Sequence, residues 1–341
     1  MSGFGLLINQ ERPIRILTTL LKNRTLPHAL LFTGTAGVGK QAAALALAMA
    51  CNCRGETSGF IAEDGREQDA ARPALQSCGV CKSCRKIAAN HHPDIIQVQP
   101  RGPFIKIEQI RTLLQTLSMK PYEAKTRVVV ISEAQSMNAA ASNALLKILE
   151  EPPDRSMLVL IANHQSDLLP TIASRCQLVR FNRIREKDIA SWIVKQHGLN
   201  LQVAEIIAAM ANGSLSNAQM MIDENWMQGR MWLIAELQRL SLQPAARLFA
   251  LAEKLAREKE SLTSRLEIIK SWFRDLIINH YDDSKIINQD VSDQLKVASG
   301  QSDIWVHLSK LDAVQKIQRR LKANTNLRLS MEKLLIQLAQ Q

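Results

Sequence analysis

The stretch Met137-Asn-Ala-Ala-Ala-Ser-Asn-Ala-Leu-Leu-Lys-Ile-Leu-Glu-Glu-Pro-Pro-Asp154 decides how the rest of the chain folds. Asn138 is a strong N-cap residue, and the alanine-rich run after it favours helix. Ala144, Leu145, Ile148 and Leu149 recur on one face at helical spacing, while Lys147, Glu150 and Glu151 point elsewhere. Pro152-Pro153 then stops the helix. In front of it lies the β-branched run Arg127-Val-Val-Val-Ile131, and behind it Met157-Leu-Val-Leu-Ile-Ala162. Unbroken apolar runs of this length predict strands buried on both faces, as in a parallel sheet covered by helices. Strand, helix and strand form a βαβ unit.

A chain of 341 residues is long for one core, so two or three domains are expected. Hydrophobic residues make up 46% and charged ones 22%, which fits a folded globular chain and not a disordered one. The net charge of +11 permits a polyanionic or acidic partner, although a basic, solvated surface explains it equally well. With aromatics at 4%, a stacking platform for single-stranded nucleic acid is not indicated. Met1 to Ile8 has neither the basic flank nor the apolar core of a secretory signal, and Gln41 to Ala50 is too short to span a bilayer. A cytoplasmic protein without a membrane segment is therefore expected. Its six cysteines then serve as metal ligands or core thiols rather than disulfides.

His28-Ala-Leu-Leu-Phe-Thr33 reads as a strand and runs directly into Gly34-Thr-Ala-Gly-Val-Gly-Lys40, after which a helix begins. Strand, glycine-rich turn and helix are the setting of a phosphate loop. Gly34, Gly37 and Gly39 let backbone N–H groups curl around phosphate oxygens, and Lys40 adds positive charge. Two positions depart from the motif. Gln41 stands where a Ser or Thr hydroxyl should bind magnesium, and Ser132 stands where the strand 127–131 should end in a metal-binding Asp. Glu133 remains where a water-polarising carboxylate belongs. Nucleotide binding without efficient hydrolysis is the expected outcome.

Cys78-Gly-Val-Cys81-Lys-Ser-Cys84 places three thiols on a tight knuckle, with Cys53 or Cys51 available as a fourth. A closed set of four thiolates suits a structural, tetrahedral zinc ion. The polar stretch 54–76 between them reads as a loop insertion. His91 and His92 lie nearby but are surplus to a complete ligand set. Further along, Ile107, Ile110, Leu113, Leu114 and Leu117 mark an amphipathic helix. Helical runs follow from Asp188 to His197 and from Val203 to Ala211, and Gly213-Ser-Leu-Ser-Asn-Ala218 opens another helix. Beyond Trp226 the pattern is all helical, with faces at Leu233/Leu237/Leu240, Leu248/Leu251/Leu255, Ile268/Trp272/Leu276/Ile277 and Met331/Leu334/Leu335/Leu338.

Asn143-Ala-Leu-Leu-Lys-Ile-Leu-Glu-Glu-Pro-Pro153 followed by Ser174-Arg-Cys176 resembles the AAA+ clamp-loader family of bacterial DNA polymerase III. The resemblance covers nearly the whole chain and is strongest from Leu30 to Cys176. It implies an α/β P-loop core with a parallel sheet over residues 1–181, carrying a zinc module at 51–84. A small helical lid would span 182–225, and an all-α collar over 226–341 would pack subunits into a ring. It favours Cys53 over Cys51 as the fourth ligand of Zn2+. It places Asn163 where these ATPases sense the γ-phosphate; a loop asparagine satisfying its own turn is the other reading.

By the same resemblance Arg175 reaches the ATP of a neighbouring subunit, where a guanidinium is worth about 10³–10⁵ in rate. Cys176 would be a packing residue. Asn217 stands where active members carry a nucleotide-contacting arginine, a third loss beside Gln41 and Ser132. The implied role is a largely ATPase-defective subunit that holds ATP or ADP weakly, in a ring with motor (gamma/tau) and delta subunits that loads the sliding clamp onto primed DNA. An active motor subunit or autonomous P-loop ATPase is one alternative, and a zinc-dependent DNA-binding protein is another.

Overall fold

Three apolar runs become the central strands of a parallel sheet because side chains alternate across a strand and both faces here are apolar. The structure is a computed structural model that describes residues 3–55, 77–224, 226–240, 243–257, 259–321 and 326–340. The insertion expected over 54–76 falls outside these residues except at Arg54 and Gly55. Two compact units divide the chain, residues 1–188 with 213–216 and residues 189–212 with 217–341.

The strands of the first unit are β1 (Ala29–Thr33), β2 (Ile95–Val98), β3 (Arg127–Ile131), β4 (Ser156–Ala162) and β5 (Gln177–Arg180). All pair in parallel, in the order β2-β3-β4-β1-β5. Leu30, Phe32, Val128, Val130 and Val159 face one side, where α1 (Glu11–Lys22), α2 (Lys40–Asn52) and α3 (Lys82–Ala88) pack through Leu17, Leu47 and Ile87. Leu31, Val129, Ile131, Leu158 and Leu160 face the other side. There α4 (Ile107–Leu117), α5 (Ala139–Glu150) and α6 (Pro170–Ala173) close the layer through Leu113, Leu145, Ile148 and Ile172. The Asn138 side chain accepts from the Ala141 N–H at 2.8 Å, the cap expected for α5, and the helix ends at Glu150 ahead of the two prolines.

One buried ion pair locks the chain between α4 and β3. Asp94 accepts from the N–H groups of Tyr122, Glu123 and Ala124 at 2.8–2.9 Å and pairs with Arg127 at 3.1 Å. Arg127 also donates to the carbonyls of Thr116, Met119 and Lys120. The pair is thus almost fully hydrogen-bonded, the condition under which a buried charge is tolerated.

The second unit is helical. Most of α7 (Glu186–His197) belongs to it, with α8 (Leu201–Met210), α9 (Leu215–Asp223), α10 (Trp226–Gln238), α11 (Ala245–Arg257), α12 (Lys259–Ile278), α13 (Ser292–Ser299), α14 (Ile304–Leu321) and α15 (Leu327–Ala339). The four apolar faces expected after Trp226 lie on α10, α11, α12 and α15 and are buried, except that Leu240 falls beyond the end of α10 and Ile277 is half-buried. Among them sits a fully buried Arg230, which donates to both Asp290 oxygens at 2.7 Å and to Asn288, itself a donor to Asp275. No helix of the described residues is long and apolar enough to cross a membrane.

Removing Asp94 leaves the Arg127 guanidinium buried without its partner, so Asp94→Ala is expected to cost about 3–5 kcal/mol in a denaturant titration. Burial works against ionisation of Asp94, but the three N–H donors and Arg127 hold its carboxyl down at about 2. Since this lies below the ordinary 3.8, the stabilisation is fully present above that value and is lost as pH falls toward 2. Acid titration of the wild type should show this loss, and the alanine variant should lack it.

Candidate functional site

All five strands run the same way, so the turns after β1, β3 and β4 gather at one edge of the sheet. Residues 34–39 follow β1 there, with Gly34, Gly37 and Gly39 at φ of 141°, 76° and 99°. Gly37 also needs to lack a side chain for space, since a Cβ would lie 2.1 Å from the Ser214 hydroxyl oxygen. Leu215 donates its N–H to the Gly37 carbonyl at 3.0 Å, so Ser214-Leu-Ser216 covers the loop. The Gly34 N–H donates to the carbonyl of Asn163 at 3.0 Å, which puts Asn163 beside the loop at the end of β4.

Of the polar side chains around the loop, those of Lys40 and Gln41 bond within the chain. The Lys40 ammonium donates to the carbonyls of Gly34 and Thr35, folding onto the loop itself. Burial lowers its pKa to about 8. Gln41 donates to the Gln97 carboxamide oxygen on β2 at 3.1 Å, and Gln97 donates in turn to Asn90 at 2.7 Å. The Ser132 hydroxyl is buried and makes no hydrogen bond among the described residues. Glu133 follows in a left-handed conformation, φ 50°, and its carbonyl caps the turn to Ser136. The glycine turn could hold a phosphate through its backbone N–H groups, while position 132 carries a hydroxyl and not a carboxylate, and Gln41 is engaged with Gln97. Asn217 stands in the first turn of α9.

Arg175 is elsewhere. It follows α6 and precedes β5, whose register sets Gln177 beside Leu30 and Arg180 beside Thr33. Arg175 thus lies at the start of the strands, while Gly34 lies at their ends. The five residues of β1 between the two edges span roughly 16 Å. The guanidinium pairs with Glu150 at 2.9 Å and donates to the Thr171 carbonyl at 3.0 Å. Neighbouring Cys176 packs against the core, and burial pushes its thiol up to about 12, which disfavours the thiolate.

Cys53, Cys78, Cys81 and Cys84 converge, all four sulfurs lying within 4.8 Å of one another. Cys78 and Cys84 are 4.0 Å apart, near the roughly 3.8 Å that a tetrahedron of Zn–S bonds requires. The knuckle forms because Cys81 caps α3, accepting from the Cys84 N–H, while Cys78 accepts from the Cys81 N–H at 3.3 Å. Burial resists ionisation of Cys81, but donors including the Cys84 and Arg54 N–H groups hold it at about 6, favouring a thiolate. A Cβ at Gly55 would meet the Cys78 sulfur at 2.8 Å, so glycine clears the site. Cys51 stays outside the group; burial pushes its thiol up to about 12. His92 is also apart, accepting from the Asp94 N–H through Nδ1. The four cysteines can hold a metal ion.

Four participants escaped sequence reasoning. Ser214 and Ser216 read only as the opening of a helix, Gln97 lies on a short edge strand, and Glu150 reads as a solvated face. Only the spacing of the serines after Gly213 could have flagged a turn.

The family model described as "DNA polymerase III, delta subunit" matches residues 9–185, and that described as "DNA polymerase III, delta subunit, C terminal" matches residues 224–340. The chain is 30% identical over 333 residues to DNA polymerase III subunit delta' of Bacillus subtilis, covering 96% of both chains. It is 31% identical over 332 residues to subunit delta' of Pseudomonas aeruginosa, covering 92% of both. Subunit tau of Escherichia coli is 30% identical over 228 residues, which is 65% of this chain and 32% of tau.

Metal analysis of the reduced protein should find about one zinc ion per chain, the content of one four-thiolate set. Cys53→Ser and Cys84→Ala should lower it, and Cys51→Ser should leave it unchanged.

Proposed function

The chain belongs to the family of DNA polymerase III delta-prime subunits, and on that premise we propose that it is the ATPase-defective arginine donor of a clamp loader. One observation carries this reading. Arg175 and the Gly34–Lys40 loop sit at opposite edges of the same parallel sheet, farther apart than an arginine side chain reaches. An arginine so placed serves a nucleotide held by another chain, not its own. The tau and delta-prime relatives make motor subunits of the same loader the natural neighbours.

The state of the loop supports the other half of the proposal. Lys40 is spent on its own loop carbonyls, Gln41 on Gln97, and position 132 lacks a carboxylate. Gly34, Gly37 and Gly39 would cradle ATP or ADP there, but magnesium would lack a carboxylate at position 132 to hold it, and Glu133 alone would not restore hydrolysis. Residues 1–181 then act as a nucleotide-binding-like domain, 182–225 as a lid, and 226–341 as a collar joining a ring with gamma/tau and delta. A zinc ion on Cys53, Cys78, Cys81 and Cys84 would cross-link the knuckle to the end of α2 and take no part in the reaction. The ring's task is to place the sliding clamp on primed DNA.

In a complex reconstituted with the motor subunit of the same organism, Arg175→Ala should lower DNA-stimulated ATP turnover by about 10³-fold or more at the site it completes. Assembly of the complex should be unchanged. Turnover equal to the wild type would remove the assignment.

A further inference from the structure

The Arg175 guanidinium is held from two sides. One nitrogen donates to the Thr171 carbonyl at 3.0 Å, and another meets the Glu150 carboxylate at 2.9 Å. Thr171 lies in α6, and Glu150 is the last residue of α5. Both helices are fixed to one core layer, through Ile172 and through Ile148 and Leu149. The two anchors therefore sit on rigid elements, and the arginine between them remains 38% exposed.

We propose that Glu150 is a positioning residue for Arg175, orienting the guanidinium before the subunit meets the nucleotide of its neighbour. This rests on the assignment of Arg175 as the arginine acting in trans. An arginine carries five N–H donors in a rigid plane, and the two contacts leave three for phosphate oxygens. Without Glu150 the side chain keeps its long, flexible stem and must be ordered at the moment of reaction, at an entropic penalty. The carbonyls at the C-terminal end of α5 add further attraction for the cation. Glu150 is 51% exposed, so its ion pair is well solvated and contributes little to folding. The contact matters for orientation rather than for stability. Neighbouring Glu151 carries the same charge, is exposed, and is not a partner of Arg175 in either contact, which makes it the natural control.

The test is steady-state ATP turnover by the complex reconstituted with the motor subunit, on primed DNA. Glu150→Ala should lower kcat about tenfold with KM for ATP unchanged. Glu150→Gln, which keeps an oxygen acceptor, should recover most of that loss, and Glu151→Ala should behave as wild type. Adding Glu150→Ala to Arg175→Ala should produce no further loss, because the first acts only through the second. Full activity of Glu150→Ala beside an inactive Arg175→Ala would overturn the positioning role and leave the trans arginine standing. Faster turnover of Glu150→Ala would also overturn it, by making the carboxylate a latch. A glutamine variant as slow as the alanine would do the same. An Arg175→Ala complex with wild-type turnover would overturn both assignments.

Discussion

Everything in the first unit depends on a parallel sheet that must bury both faces. Leu31 and Leu30 are equally hidden, as are Val129 and Val128, so helices are required on each side of β1, β3 and β4. Parallel pairing then sends every strand end to the same edge. Gly34, Ser132 and Asn163 come to that edge for this reason, and the Gly34 N–H then donates to the Asn163 carbonyl. The same geometry exiles Arg175 to the opposite edge, because it precedes a strand instead of following one. What separates the two functional positions is thus a consequence of the core.

The two edges have different chemical states. At the strand ends the glycine turn has a left-handed backbone and a cover of Ser214-Leu-Ser216, and Lys40 and Gln41 are engaged within the chain. The loop also has a structural role. Gly37 is packed against Ser214 and Gly34 is bonded to Asn163, so the turn joins β1, β4 and the segment 213–216. At the strand starts, Arg175 is partly exposed and held by Glu150 and the Thr171 carbonyl. The cysteine knuckle is a third, independent feature, attached to the end of α2, where its ligands close around a metal-sized centre.

Legibility in the sequence followed burial. β1, β3, β4 and α5 were readable because their apolar residues recur without interruption, and Asn138 and Pro152-Pro153 mark the ends of α5. β2 was not, since Ile95–Val98 is a four-residue edge strand with three half-buried positions. Helix α14 also escaped, because its buried face begins with His307 and resumes only at Ala313, Val314 and Ile317. The Asp94–Arg127 and Arg230–Asp290 pairs gave no signal, as a charged residue in sequence looks solvated unless its partner is known. Cysteine spacing brought out three of the four converging thiols; choosing Cys53 over Cys51 required either the family resemblance or the geometry. The glycine loop and its departures from the motif were legible residue by residue, but the engagement of Gln41 by Gln97 was not, because it crosses from α2 to an unread strand.

In the proposed role this chain keeps the cradle of a nucleotide site without its chemistry and lends its arginine to another. ATP turnover by the purified chain alone, followed by turnover after mixing with the motor subunit of the same organism, tests it most directly. The account predicts no turnover above background for the chain alone and turnover in the mixture that disappears with Arg175. Robust hydrolysis by the isolated chain would contradict it, since Gln41 and Ser132 would then be shown to serve magnesium after all.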